Sequence, residues 1–91
     1  MSYQVLVRQR PESQLNDLHP ETYRRVKQAL AKLADEPRPR DSKKLSERKG
    51  WRIRVGDYRV IYQIDDSSKT VTIVYIGHRR DVYRKAGATP P

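Results

Sequence analysis

Arg52 and Arg54 are separated by one residue, and Arg59 follows them across Gly56-Asp57. A Gly-Asp pair between two apolar runs marks a two-residue hairpin turn. Trp51, Ile53 and Val55 alternate with the two arginines, so in a strand the arginines share one face. The turn folds a return strand back from Tyr58, which brings Arg59 beside Arg54. Guanidinium groups gathered on one patch repel each other unless an anion lies between them, and their forks match phosphate oxygens. The plain alternative is a solvated arginine ladder. The anion site is favoured because like charges directly opposite destabilise a sheet.

Gly77-His78-Arg79-Arg80 lies further along. A free imidazole titrates near pH 6.5, which makes His78 a candidate acid or base at neutral pH. Standing alone, such a histidine is ordinary surface; arginines around it raise its interest. Gly77 can shift strand parity, so the sequence leaves open whether His78 or Arg79 points at the patch. Tyr83 can stack on a base, donate a hydrogen bond to a phosphate, or pack back on the sheet. Lys43, Lys44, Arg48 and Lys49 form a charge run suited to holding a phosphate backbone. His19, just before Pro20, reads as a cap or linker.

The chain has 91 residues, no Cys and two His. A disulfide framework and a thiolate site are excluded, and a structural zinc site is disfavoured. There is no phosphate-cradling glycine loop, no acidic cluster for Mg²⁺ and no Ser-His-Asp signature. No metal and no cofactor is expected. If the partner is RNA, its own 2′-OH can attack the adjacent phosphorus. The protein then need only align it, stabilise the phosphorane charge and move protons.

Lys plus Arg number 20 against 11 Asp plus Glu, a net charge of +9. Residues 1–37 hold six basic and five acidic side chains, and residues 38–91 hold fourteen and six. This asymmetry points to a polyanion such as nucleic acid or ribosome. The length suits one domain over residues 1–91, with a thin core and a frayed tail at 86–91. No apolar run reaches membrane length and the first residues are not a signal peptide, so a cytoplasmic protein is expected.

The elements that must position these residues follow from periodicity. Tyr3, Val5 and Val7 alternate as a short first strand. Pro11 suits the first turn of a helix carrying Leu15 and Leu18. Pro20 and Glu21 open a second helix, with Tyr23, Val26, Leu30 and Leu33 at helical spacing. Pro37 and Pro39 stop it. Residues 37–50 read as a basic loop anchored by Leu45. Trp51–Val55, Tyr58–Ile64 and Thr70–Ile76 read as a three-stranded meander that Gly77 breaks. Tyr58, Val60, Tyr62 and Ile64 read as one core-facing row. The expected fold is α+β, ordered β-α-α-β-β-β: a mainly antiparallel four-stranded sheet with an αα-hairpin on one face.

The stretch Trp51–Tyr62 (WRIRVGDYRVIY), followed by Ile76–Tyr83 (IGHRRDVY), resembles the RelE/ParE superfamily of bacterial toxins, most closely its RelE-like branch. The likeness extends from about Ser2 to Tyr83. It implies a metal-independent endoribonuclease that cuts mRNA in the ribosomal decoding site, and a RelB-like antitoxin that blocks it. Carried over residue by residue, it implies catalytic roles for Arg52, Arg54, Arg59, His78 and Arg79, with Tyr83 stacking on the nucleotide. The best-studied pattern has lysines at the positions of Arg52 and Arg54. Arginine does not give up its proton in proteins, so these two are expected to clamp phosphate while His78 moves protons. Two other readings are a ParE-like toxin that poisons DNA gyrase without cutting RNA, and a basic RNA-binding domain without catalysis.

Overall fold

The computed structural model describes residues 2–45 and 49–78. The elements run β1 (Gln4–Val7), α1 (Gln9–Asn16), α2 (Pro20–Asp35), β2 (Lys43–Lys44), β3 (Trp51–Val55), β4 (Tyr58–Asp65) and β5 (Thr70–His78). The strands form one sheet in the order β1-β5-β4-β3-β2. β1 runs parallel to β5, and the other pairings are antiparallel. The α+β class agrees with expectation, but the sheet has five strands rather than four. The extra one, β2, is two residues long and lies inside the stretch read as a loop. A pair of lysines carries no alternation for a periodicity argument to detect.

α2 begins as its residues dictate. His19 is the N-cap, its Nδ1 accepting the Glu21 N–H at 3.3 Å, and Pro20 opens the helix. Val26, Leu30 and Leu33 form its buried stripe. They pack with Leu15 of α1 against Ile53, Val60, Tyr62, Val71, Ile73 and Ile76 from the sheet. Trp51, Val55 and Ile64 border this core. The helices therefore cover the face built from the apolar alternates of β3 and β4, which leaves Arg52, Arg54 and Arg59 to the far face.

β5 departs from simple alternation. Ile61 pairs with Tyr75 while Tyr62 pairs with Ile73, so Val74 is left over as a bulge. Val71 and Ile73 face the helices before the bulge, and Ile76 does so after it. Tyr75 is turned to the far face, where it packs with Ile61, Val74 and Leu45. The strand also continues through Gly77 to His78 instead of breaking at the glycine. A Cβ on Gly77 would lie 2.7 Å from the Tyr75 ring. The glycine keeps the strand regular by making room for that ring.

Candidate functional site

The far face is organised by the β3–β4 hairpin. Gly56 takes φ +61°, the left-handed region its turn position requires. Val55 pairs with Tyr58 across that turn, Arg54 with Arg59, and Arg52 with Ile61. Lys43 of β2 lies opposite Arg52, so it shares the arginine face, while Lys44 lies opposite Trp51. Three arginines and a lysine from three adjacent strands thus meet on one side of the sheet. Arg54 is exposed, and Arg52 and Arg59 are half-buried. The Arg59 guanidinium reaches back toward the Tyr58 carbonyl at 3.5 Å. Ile61 and Tyr75, both almost fully buried, lie beside these cations on the same face. With those two side chains buried against Leu45 and Val74, what this face offers a ligand is its cations, a patch suited to phosphates.

A strut fixes the edge that carries Lys43. The Arg38 guanidinium pairs with both carboxylate oxygens of Asp66, at 2.8 and 3.3 Å, and lies over the Trp51 ring at 5.4 Å. Tyr3 donates to the same carboxylate at 2.6 Å. Hydrogen bonds from Arg38 and then Tyr3 hold the Asp66 carboxyl below its usual range. Beneath the strut, the Tyr62 hydroxyl donates to the Pro37 carbonyl at 2.7 Å. Burial pushes the Tyr62 phenol up to about 12. The connection from α2 to β2 is therefore tied to β3, to β4 and to the turn after β4, although it has no regular structure of its own.

His78 lies elsewhere. It pairs with Tyr58, on the parity of Val60 and Ile76, and meets the Tyr58 ring edge-on at 5.7 Å between centroids. The residue opposite Arg59 is Gly77. With the ladder slipped at Val74, His78 shares its side of the strand end with Tyr58, not with the arginine row. Lys49 is exposed. Arg48, Arg79, Tyr83 and the 86–91 tail lie outside the described residues. Among the described residues no group of three His, Asp or Glu is arranged to hold a metal ion. None of their helices is long and apolar enough to cross a membrane.

Sequence reasoning passed over two features of this face. One is the Tyr75–Gly77 pair, hidden because a bulge leaves no mark in the hydrophobic pattern. The other is the start of α1, where Arg8 and Arg10 line a groove over the same face. Both arginines fall in the half of the chain with almost balanced charge, so an excess-charge argument does not single them out.

Comparison with known proteins agrees with this architecture. Residues 5–83 match a family model described as the ParE toxin of the type II toxin-antitoxin system parDE. A chain of the RelE–RelB complex from Pyrococcus horikoshii superposes with a TM-score of 0.78 at 33% identity, covering 87% of this chain and 97% of that one. A chain of the RelBE2 toxin–antitoxin complex from Mycobacterium tuberculosis also gives 0.78, at 30% identity over 87% of this chain and 100% of that one. The toxin RelG of M. tuberculosis is 50% identical over 32 residues, a stretch that spans 37% of that protein's length. The family match runs across most of the chain, and two of these structures share its fold nearly end to end. The chain belongs to the RelE/ParE superfamily of toxins from type II toxin–antitoxin systems.

Proposed function

We propose that this toxin is a ribosome-dependent endoribonuclease that cuts mRNA and so stops translation. The observation that carries the reading is the gathering of Arg52, Arg54 and Arg59 on the sheet face opposite the helices. A scissile phosphate between them would be clamped by charge-assisted hydrogen bonds, and the same groups would offset the extra charge of the phosphorane. The nucleophile is the RNA 2′-OH, attacking in line with the departing 5′-oxygen. The products are a 2′,3′-cyclic phosphate and, once the 5′-oxygen takes up a proton, a 5′-OH end; attack by water then opens the cycle to a 3′-phosphate. No metal or cofactor takes part in this scheme.

The residue roles belong to the proposal. Arg52, Arg54 and Arg59 bind and neutralise the phosphate. His78 is the candidate for moving protons, from its place beside Tyr58 at the end of β5. Arg79 adds a further cation, and Tyr83 stacks on the nucleotide. Lys43, Lys44, Arg48 and Lys49 hold ribosomal RNA. A RelB-like antitoxin is the cognate partner, by analogy with the relatives found in RelE–RelB complexes. Its inhibitory segment should be acidic and amphipathic, and should become ordered on binding.

The chemistry is tested with an mRNA bearing a single 2′-deoxynucleotide at the cut position. The reading expects cleavage to vanish there on programmed ribosomes, while the all-ribose mRNA is still cut at that position. Cleavage that ignores the missing 2′-OH would refute it. His78→Ala separates the roles: unchanged cleavage removes His78 from the catalytic set and leaves the arginine clamp standing. The match to a ParE family model favours one second reading. In it the toxin acts on DNA gyrase, and substitution of Arg52, Arg54 and Arg59 leaves growth inhibition intact.

A further inference from the structure

A second cationic groove lies over the arginine face at the β1 end of the sheet. Arg8, Gln9, Arg10 and Ser13 line it from the start of α1, and Gln63 and Val74 line it from the sheet; it is open to solvent, with a volume of about 670 Å³. Gln63 follows Ile61 by alternation along β4, and Val74 packs with Ile61 and Tyr75, so both belong to the face that carries Arg59. Arg59 and Gln63 are four residues apart, about 13 Å at the rise of a strand. Ile61 and Tyr75 lie in the interval, almost fully buried against Leu45 and Val74, so a strand that links the two sites passes above this cluster.

The groove's chemistry selects an anion. Arg8 and Arg10 are exposed, and neither is in an ion pair among the described residues. No carboxylate lines the groove, whereas the cleft beside the β4–β5 turn has Asp65 and Asp66 in its wall. The side-chain amides of Gln9 and Gln63 and the Ser13 hydroxyl add neutral donors and acceptors. Two guanidinium groups beside such a set match a sugar-phosphate backbone, which offers charged oxygens and hydroxyls together.

We propose that the substrate strand runs from the Arg52–Arg54–Arg59 patch, above the Leu45–Val74 cluster, into this groove. There Arg8 and Arg10 hold the backbone of nucleotides that flank the cut. The inference rests on the ribonuclease reading. It makes Arg8 and Arg10 substrate-positioning residues, remote from the bond that breaks.

The test compares wild type with the Arg8→Gln/Arg10→Gln double variant. A short 2′-O-methylated RNA, which cannot be cut, is titrated over a range of salt. Each phosphate contact on a single strand contributes about −0.7 to the slope of log affinity against log salt, so two lost contacts should flatten it by about 1.4. On programmed ribosomes, KM should rise while kcat holds. An unchanged slope with unchanged KM overturns the groove and leaves the ribonuclease reading in place. A wild type that neither binds nor cuts RNA overturns both. Ribosomal RNA offers the same phosphate chemistry, so binding to ribosomes without mRNA is measured alongside. A loss confined to that arm would assign the groove to the ribosome and overturn the substrate-strand proposal. Both arginines are exposed, and an unchanged melting temperature confirms that the variant folds.

Discussion

The pairing of Arg54 with Arg59 should cost the free toxin stability, and Arg54→Gln should recover it. Val55 and Tyr58 close the two-residue turn, so Arg54–Arg59 is the next, non-hydrogen-bonded pair, with Cα atoms about 4.5 Å apart. Two guanidinium charges about 6 Å apart in water repel by about 0.7 kcal/mol. That agrees with the 0.2–1 kcal/mol range, about 0.6 at its middle, for side-chain pairs across a sheet. Glutamine keeps much of the stem and removes the charge. In low salt the variant should melt about 2–5 °C above wild type, at the usual conversion for a domain of this size. The gain should fade as salt rises above about 0.5 M, because the exposed Arg54 is readily screened. Inorganic phosphate or a short RNA should then raise the melting temperature of wild type more than that of the variant, since ligand binding stabilises the form that binds it. Scanning calorimetry on both proteins in each buffer gives all the numbers. A variant that melts below wild type in low salt, with no differential response to phosphate, would refute the reasoning and return the arginines to a structural ladder.

Three further outcomes are expected. Tyr62→Phe removes the hydroxyl that satisfies the Pro37 carbonyl and should cost about 1–2 kcal/mol near neutral pH by urea unfolding. The fold raises this phenol to about 12, so its contribution is complete below about pH 10 and fades as pH climbs toward 12; the variant's stability should fall less than wild type's across that interval. Asp66 is held low by Arg38 and Tyr3, so its stabilisation is present above about pH 4 and fades as pH falls through the lower folded value. Asp66→Asn should therefore flatten the acid limb of the melting profile, and an unaltered limb would remove the strut from the account. Gly77→Ala drives a Cβ to 2.7 Å from the Tyr75 ring and should cost about 1–3 kcal/mol. Adding Tyr75→Leu should make the double variant more stable than the two single costs predict, by more than about 0.5 kcal/mol.

Strong periodicity made most of this fold legible. The Val26–Leu30–Leu33 stripe, the Pro20 start of α2 and the alternation around Gly56-Asp57 each follow from local rules, and the arginine cluster follows from that last alternation. Three things did not follow. β2 is held by pairing with β3, a tertiary cause with no local signal in two lysines. The bulge at Val74 changes which residues of β5 face the helices, and no composition rule marks where a ladder slips. Its consequence is functional, because His78 stands beside Tyr58 while Gly77 stands opposite Arg59. A glycine after a β-branched run signals a strand end, whereas the smallness of Gly77 makes room for the Tyr75 ring. The groove at Arg8 and Arg10 depends on α1 crossing the sheet at one end, which helix periodicity cannot orient.

The central claim is that the arginine face cuts mRNA on the ribosome. Primer extension on a defined mRNA, with and without programmed ribosomes, tests it most directly when wild type is set beside Arg59→Ala. The account expects cuts only with ribosomes, slowed by about 10²–10³-fold in the variant. A folded, growth-inhibiting wild type that leaves the mRNA uncut would contradict it and favour the gyrase target.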